Sequence, residues 1–234
     1  MDIIILAGGF GTRLINEING LPKCLAPING EPFIFYLLNY LRKFKFDQYI
    51  FALGFRSELV KNYLSENFSD LNLIYSVENI PLGTGGAIKK ALKYVNSDDV
   101  VVINGDSFFN IDYNRFFAFH KIKKATFSIA LAEISCNDRY GSVELSDDII
   151  INFEEKQIEA ERMSLINSGI YMINKLDFSK FLFPESFSIE KDFFEKKPKS
   201  HQIHGMVFQN KFIDIGVPND YRAFPKFIKD IDIL

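Results

Sequence analysis

Apolar and polar positions along the first hundred residues follow two alternating patterns. Residues 3–7 form a continuous apolar run that ends in glycines, which predicts a buried strand followed by a tight loop. After Pro32, apolar residues recur at positions 34, 37, 38, 41 and 44, the spacing of one helix face. Further strands are predicted over residues 49–53, 71–77 and 100–103, with helices ending near residue 64 and spanning residues 84–95. This alternation is typical of an α/β domain with a mostly parallel sheet.

The second half of the chain carries more strand than helix. Its apolar runs predict strands over residues 127–132, 149–153, 169–173 and 212–215, and its helical spacing predicts helices near residues 176–182, 189–196 and 219–229. No linker, low-complexity tract or internal repeat interrupts residues 1–234, so one domain with a mixed sheet is the simplest organisation.

Composition narrows the class of protein. Hydrophobic residues make up 47% and charged residues 24% of the 234 positions, which excludes a disordered chain. The net charge of −3 argues against a nucleic-acid coat or a basic protein of the membrane surface. The apolar run at the N-terminus is too short for a signal peptide, and no run reaches the roughly 18 residues of a membrane helix. A cytoplasmic protein without a membrane or nucleic-acid partner is therefore expected.

Cysteine, histidine and aromatic residues add little chemistry. Cys24 and Cys136 lie far apart without CxxC spacing, which excludes a disulfide framework and a cysteine zinc site and fits a reducing compartment. The 3 histidines form no metal-binding spacing. The 25 Phe and 10 Tyr are expected mainly to fill the core, with an aromatic surface for bases or sugars as the alternative.

The first predicted strand leads into a glycine-rich loop, LAGGFGTRL, over residues 6–14. It is neither a P-loop, because it has no lysine at the required place, nor a dinucleotide fingerprint, because Leu14 replaces the last glycine. Glycines nevertheless let backbone N–H groups approach phosphate, and Arg13 adds a cation. An ordinary turn is the alternative for the loop alone, but Lys23 supplies a second cation ten residues later.

A second glycine-rich segment and two carboxylates follow. Residues 78–87, ENIPLGTGGA, begin where a predicted strand ends, and Thr84 is expected to cap the next helix. Asp106 in the sequence NGD and Asp214 in the sequence FIDIG each follow an apolar run. Taken singly, these segments are equally compatible with a capped helix start and with turns after strands.

In this order, LAGGFGTRL followed by PK, then PLGTGGA, NGD and FIDIG resemble the sugar-1-phosphate nucleotidyltransferases, the enzymes that make nucleotide-sugars. The resemblance covers nearly the whole chain. It implies a single α/β nucleotidyltransferase domain over residues 1–234, Rossmann-like and of GT-A type, with a mixed, mostly parallel sheet flanked by helices. It also implies a reaction in which a nucleoside triphosphate and a sugar 1-phosphate give a nucleotide-sugar and pyrophosphate.

The resemblance implies a role for each matched residue. Arg13, Lys23 and Asp106 are the expected catalytic residues, and Asp106 and Asp214 the expected ligands of Mg²⁺. The expected nucleotide-binding residues are Leu6, Ala7, Gly8, Gly9, Gly11, Thr12, Glu78, Pro81, Gly83 and Thr84. The expected sugar-phosphate-binding residues are Gly105, Gly141, Glu155, Lys156, Asn167 and Gly169. Gln157 departs from the proline that usually follows the EEK sequence, and for Glu190 a capping role is as good an explanation as a sugar contact.

Within that family, the motifs most resemble heptose 1-phosphate guanylyltransferases. This favours GTP and D-glycero-D-manno-heptose 1-phosphate as substrates and GDP-heptose, for surface polysaccharide, as product. Mannose 1-phosphate with GTP, or a hexose 1-phosphate with UTP or dTTP, are the alternatives. A glycosyltransferase is disfavoured because residues 106–108 are not a DxD motif, and a non-catalytic subunit because Lys23 and both aspartates are present. A homo-oligomer is compatible with the sequence.

Overall fold

A nine-stranded mixed sheet runs through the structure, a computed structural model that describes residues 1–135, 142–154, 163–196 and 202–233. The strands in chain order are β1 (Asp2–Ala7), β2 (Pro27–Ile28), β3 (Glu31–Pro32), β4 (Tyr49–Leu53), β5 (Leu73–Val77), β6 (Asp99–Asn104), β7 (Ser107–Phe109), β8 (Phe127–Ser135), β9 (Ser142–Ser146), β10 (Ile149–Glu154), β11 (Met163–Asn174), β12 (Ile203–Phe208) and β13 (Phe212–Asp214). The helices are α1 (Phe33–Leu41), α2 (Ser57–Asn67), α3 (Gly83–Ala91), α4 (Tyr113–Lys123), α5 (Lys175–Ser179) and α6 (Pro218–Lys229).

The order of the main sheet is β5-β4-β1-β6-β11-β8-β12-β10-β9. Strands β5, β4, β1 and β6 are mutually parallel, and β12 is parallel to β8. The pairs β6–β11, β11–β8, β12–β10 and β10–β9 are antiparallel. The parallel pairing expected from the first half of the sequence is therefore concentrated there, and the second half makes the sheet mixed.

The carboxyl ends of the parallel strands lie at one edge of the sheet. Ala7 of β1 is opposite Leu53 of β4, Leu53 is opposite Val77 of β5, and Asn104 of β6 is opposite Leu6. The loops that follow these strands are thereby brought together. In open α/β sheets, ligands bind at this edge.

Helices cover both faces of the sheet, in keeping with the burial of the parallel strands β1, β4 and β6 on both faces. Ile3 and Ile5 of β1 belong to a core that includes buried residues of α1, α2, α4 and α6. Ile4 belongs to a second core with buried residues of α3 and α5. No helix in the described part of the chain has the length and apolar character needed to cross a bilayer.

Several elements differ from the sequence-based expectation. Helix α4 and strands β7, β9 and β12 were not expected from the pattern. Helix α4 is rich in aromatic residues of modest helix propensity, and its start is set by Asp112, whose side chain accepts hydrogen bonds from the Asn114 and Arg115 amides. Gly205 interrupts the apolar pattern of β12.

The helices predicted near residues 84–95, 176–182 and 189–196 were too long. Helix α3 ends at Ala91 and continues as one 3₁₀ turn, Leu92–Tyr94, while α5 ends at Ser179. The segment Ile189–Phe194 is a short π-helix rather than an α-helix. A π-helix uses hydrogen bonds to the fifth residue, which a spacing of apolar positions does not distinguish from an α-helix over so short a length.

Candidate active site

The glycine-rich loop after β1 contains glycines of two kinds. A Cβ on Gly11, whose φ is +63°, would lie 2.7 Å from Cγ of Lys23. A Cβ on Gly8 would lie 3.1 Å from Oε1 of Glu78 and 3.2 Å from the Gly54 nitrogen. A Cβ on Gly9 would meet no atom within 4 Å. Gly8 and Gly11 therefore allow close packing within the protein, whereas Gly9 borders open space that a ligand can fill.

Two buried side chains, one leucine and one isoleucine, anchor the rest of this loop. Leu14 and Ile18 are fully or almost fully buried, and the Leu14 amide donates to the Gly11 carbonyl oxygen over 2.9 Å. Thr12 and Arg13, which precede this anchor, are exposed. The arrangement holds the loop backbone in place and leaves the guanidinium group of Arg13 in solvent at the end of β1.

Lys23 and the two predicted metal ligands form one charged cluster. Nζ of Lys23 donates to Oδ2 of Asp106 over 2.7 Å, and both side chains are largely buried. Asp214 ends β13, which pairs with β7, and the next amide, Ile215, donates to the Asp106 carbonyl oxygen over 2.9 Å. A Cβ on Gly216 would lie 2.8 Å from Oδ1 of Asp214 and 3.1 Å from Nζ of Lys23. One ammonium group thus lies beside two carboxylates.

The donor set at this cluster fits a divalent ion that also uses substrate oxygens. No group of three or more His, Cys, Asp or Glu side chains among the described residues could hold a metal ion by itself. Two carboxylates with phosphate oxygens and water are the usual Mg²⁺ environment in phosphoryl-transfer enzymes. Lys23 balances the charge of Asp106 in the structure. The residues therefore fit a metal site completed by a polyphosphate, and do not form a closed protein cage.

A cavity of about 310 Å³ opens beside the cluster. Eight of the predicted site residues line it: Leu6, Gly8, Gly9, Glu78, Pro81, Gly83, Thr84 and Asp106. Ala7, which ends β1, and Gly11 and Thr12 of the loop after it are not part of the lining. The lining also includes Phe10, Ala52, Ala87 and Asn104. Phe10 and Ala87 lie in the two glycine-rich segments and Asn104 directly precedes Gly105 and Asp106, whereas Ala52 had no sequence signal.

Glu78 is the other acidic side chain in the lining of the cavity. Its Oε2 accepts a hydrogen bond from the Leu82 amide over 3.2 Å. Burial raises the pKa of Glu78, and the Leu82 amide and the charge of Lys90 oppose that shift. A smaller adjoining cavity of about 160 Å³ shares Glu78 and Phe10, whose ring packs at 5.3 Å from that of Phe55. Glu78 therefore presents a partly desolvated carboxylate to both cavities.

The glycines of the second loop pack against the protein. Cβ atoms on Gly85 and Gly86 would lie 2.2 Å from Cε2 of Phe187 and 2.4 Å from the Glu185 carbonyl oxygen. A Cβ on Gly83, whose φ is +71°, would lie 2.5 Å from the Phe187 carbonyl oxygen. Residues 185–188 therefore lie directly on the backbone of this glycine-rich segment.

The sequence predicted that Thr84 caps α3, and this prediction is wrong. The N-cap residue is Leu82, and Thr84 stands inside the first turn. Its Oγ1 instead accepts a hydrogen bond from the Ile189 amide over 3.0 Å and donates to Oε2 of Glu190 over 2.5 Å. The hydroxyl therefore links α3 to the π-helix segment rather than closing the helix end.

The described part of the predicted sugar site lies on β11 and at the end of β6. Gly169 has φ +74°, and its Cβ would lie 2.2 Å from Nδ2 of Asn104. The Asn167 side chain accepts from the Gly169 amide over 3.0 Å and donates to the Tyr171 hydroxyl over 2.9 Å. Gly105 is buried against β1, with its amide donating to the Leu6 carbonyl oxygen over 2.8 Å. Gly141, Glu155 and Lys156 lie outside the described residues.

Comparison with known proteins agrees with this arrangement. The model of the nucleotidyl transferase family matches residues 2–230. A D-glycero-α-D-manno-heptose 1-phosphate guanylyltransferase from Aneurinibacillus thermoaerophilus is 40% identical over 226 residues, which is 97% of this chain and 97% of the relative. A protein of the same name from Campylobacter jejuni is 40% identical over 225 residues, 96% of this chain and 98% of the relative.

A solved structure is also similar to this chain over nearly its full length. HddC from Yersinia pseudotuberculosis, complexed with GMP-PN, has 32% sequence identity and a TM-score of 0.86, covering 97% of this chain and 99% of that chain. The α/β fold with a mixed sheet, expected from the sequence, is confirmed. The matched region contains every described residue of the charged cluster and of the cavity. The chain belongs to the nucleotidyl transferase family.

Proposed function

We propose that this chain transfers a guanylyl group from GTP to D-glycero-D-manno-heptose 1-phosphate, with release of pyrophosphate and formation of GDP-heptose for surface polysaccharide. The observation that carries the proposal is the Lys23–Asp106–Asp214 cluster beside a cavity lined by Gly9 and Glu78. The heptose assignment is supported by the two relatives that are 40% identical over almost their full length.

The proposed reaction is an in-line displacement at the α-phosphorus. An oxygen of the sugar phosphate forms the new P–O bond, and the bond from the α-phosphorus to the bridging oxygen of pyrophosphate breaks. The phosphate monoester is already a nucleophile, so the protein needs no general base. Its task is to bring two polyanions together and to stabilise the charge that spreads over the phosphate oxygens.

The predicted site residues divide this task. Backbone amides of residues 8–12 surround the triphosphate, and Arg13 pairs with its β- and γ-phosphates. Lys23, whose Nζ lies 2.7 Å from Oδ2 of Asp106, contacts the α-phosphate. Asp106 and Asp214 would hold Mg²⁺, which when bound neutralises and aligns the phosphates. Lys156 receives the sugar phosphate, and Gly105, Gly141, Glu155, Asn167 and Gly169 orient the sugar.

Glu78 supports guanine as the base. The Watson–Crick edge of guanine carries two adjacent donors, N1–H and the N2 amino group, which match the two acceptor oxygens of a carboxylate. Adenine and cytosine present an acceptor at the ring nitrogen, and uracil and thymine present one donor between two carbonyl oxygens. Because the Glu78 carboxylate is partly desolvated and accepts a hydrogen bond from the Leu82 amide, a base that offers it fewer further donors binds less well.

A pyrophosphate-release panel tests the proposal. GTP, ATP, CTP, UTP and dTTP are each combined with heptose, mannose and glucose 1-phosphates in the presence of Mg²⁺, with Mn²⁺ and Ca²⁺ as parallel ions. We expect the highest kcat/KM for GTP with heptose 1-phosphate and Mg²⁺. A preference for mannose 1-phosphate would replace the sugar, and a preference for UTP would replace the base. The absence of turnover with every pair would overturn the enzymatic function.

The remaining organisation follows from this reaction. We propose that residues 1–234 act as one catalytic domain in the cytoplasm, where nucleoside triphosphates are available. The cluster and the cavity draw on residues between positions 6 and 216, which belong to several strands, to α3 and to the segments between them. Light scattering of the purified protein distinguishes a monomer from a homo-oligomer.

A further inference from the structure

A continuous chain of hydrogen bonds joins the nucleotide loop to the sugar strand. It starts at Thr84, which lines the cavity and donates to Oε2 of Glu190 over 2.5 Å. Oε1 of Glu190 accepts from the hydroxyl of Tyr171 over 2.9 Å. Tyr171 in turn accepts from Nδ2 of Asn167 over 2.9 Å. Four side chains thus connect α3, the π-helix segment and β11.

Glu190 is the only member of this chain that is acceptor-only, and it sets the direction of every bond. An ionised carboxylate has no proton to donate. The hydroxyls of Thr84, Ser188 and Tyr171 therefore all donate to it, Ser188 over 2.7 Å. These three donors occupy both carboxylate oxygens, which gives the group a fixed position between two substrate subsites.

The direction of the bond at Tyr171 determines how Asn167 is oriented. Because the Tyr171 hydroxyl gives its proton to Glu190, it presents a lone pair to the Asn167 amide nitrogen. The Asn167 carbonyl oxygen then faces the Gly169 amide, 3.0 Å away. Tyr171 is fully buried, so water does not replace either partner. A change of hydrogen-bond polarity at Glu190 would propagate to the Asn167 amide.

We propose that Glu190 is a positioning residue that couples the nucleotide loop to the sugar-binding strand. It acts through Thr84 on one side and through Tyr171 and Asn167 on the other, without itself entering the reaction. This inference rests on the proposed function, because it assigns the sugar phosphate to the β11 side of the site. If this is so, the loss of Glu190 weakens binding of the sugar 1-phosphate more than binding of the nucleotide.

The experiment compares Glu190→Gln, Tyr171→Phe and the double variant in full steady-state kinetics. The glutamine replaces one acceptor oxygen by a donor amino group and keeps the size of the side chain. The phenylalanine removes a single oxygen from a buried ring and keeps its packing, so folding is retained even where the glutamine variant is unstable. Glu195→Gln, an exposed position next to the π-helix segment, is the matched control.

We expect each single variant to raise KM for the sugar 1-phosphate about ten- to hundredfold, the scale of losing a hydrogen bond to a charged group. The nucleotide Kd, measured by calorimetry, should change less than about threefold, and the double variant should be no worse than either single one. Glu195→Gln should match the wild type. The wild-type pair found in the pyrophosphate-release panel is used throughout.

The outcomes separate the two proposals. If the wild-type protein turns over no pair, the proposed function fails and the role of Glu190 fails with it. If the wild type is active but Tyr171→Phe and Glu190→Gln keep the sugar KM, only the coupling is overturned. A fall in kcat with a proportional loss of folded protein and an unchanged KM would show that Glu190 is merely structural. Additive effects in the double variant would also contradict a single connected path.

Discussion

Gly85→Ala tests whether the second glycine-rich loop is shaped by the protein itself. The new Cβ would lie 2.2 Å from Cε2 of Phe187 and 2.5 Å from its Cδ2 and Cζ. The ring has little room to retreat, because it is buried and stacks on Phe183 with 4.5 Å between ring centroids. The backbone is also tied, since the Gly85 amide donates to the Phe187 carbonyl oxygen over 3.0 Å.

The magnitude follows from two opposing effects. Overpacking costs about 1–3 kcal/mol of unfolding free energy, and a contact of 2.2 Å in a closed site belongs to the upper part of that range, about 2–3 kcal/mol. Replacement of glycine by alanine within a helix returns up to about 1 kcal/mol. The net loss is therefore about 1–2 kcal/mol, which for a chain of this size lowers Tm by about 2–8 °C. A smaller partner at position 187 should recover part of this loss.

Differential scanning calorimetry on four proteins decides the question: wild type, Gly85→Ala, Phe187→Leu and the double variant. The matched control is Gly9→Ala, where a Cβ meets no atom within 4 Å. It should keep Tm within about 1 °C, since it fills open space rather than a packed site, yet weaken nucleotide binding. The reasoning is refuted if Gly85→Ala is as stable as the wild type, or if the two substitutions destabilise additively in the double variant.

Three further predictions concern charge. Lys23→Ala and Asp106→Ala should each lower kcat at least about a hundredfold in the pyrophosphate-release assay, because each removes a strong electrostatic contact. Glu78→Gln should lower kcat/KM for GTP about tenfold or more and affect ATP less, because one acceptor oxygen becomes a donor. His120 is buried, and desolvation lowers its pKa to about 4 despite the nearby Asp99. Unfolded protein therefore takes up this proton first, and urea unfolding should show stability falling as the pH drops from about 6.5 towards 4.

Each of these has a clear contrary result. Near-wild-type turnover in folded Lys23→Ala or Asp106→Ala would remove those residues from catalysis. An equal loss for GTP and ATP in Glu78→Gln would mean that the carboxylate only shapes the loop. The His120→Gln variant lacks the titrating group and should show a flatter stability profile over the same pH range. An unchanged slope would assign the acid sensitivity to other groups.

The buried strand of the sheet and the glycine-rich loop after it were predictable because each is formed by residues that are neighbours in the sequence. The run at residues 3–7 and the glycines after it lie within one short stretch. The partners of those glycines were not predictable. A glycine pattern indicates close approach but does not name what approaches, and at Gly85 it is a phenylalanine about a hundred positions away.

The same limit explains the link through Glu190. The SIEKD sequence fits a capped helix start, and Ser188 indeed accepts from the Lys191 amide over 3.2 Å. Nothing local shows that Glu190 also faces Thr84 and Tyr171, which lie on other elements. Helix α4 was not predicted for a different reason. Its aromatic side chains are compatible with both helix and strand patterns, and the N-cap residue Asp112 is the local feature that favours a helix.

The wide sequence separation of the charged cluster has a consequence during protein synthesis. Lys23 leaves the ribosome early, whereas Asp214 is made 191 residues later, a delay of about 10–40 s at about 5–20 residues per second. β13 pairs with β7 and carries the second carboxylate, so for that interval the nascent chain holds the glycine-rich loop and Lys23 without Asp214. Under the proposed function, catalytic competence therefore arises in one late step of synthesis, because a nascent chain that ends before β13 lacks the second carboxylate of the cluster.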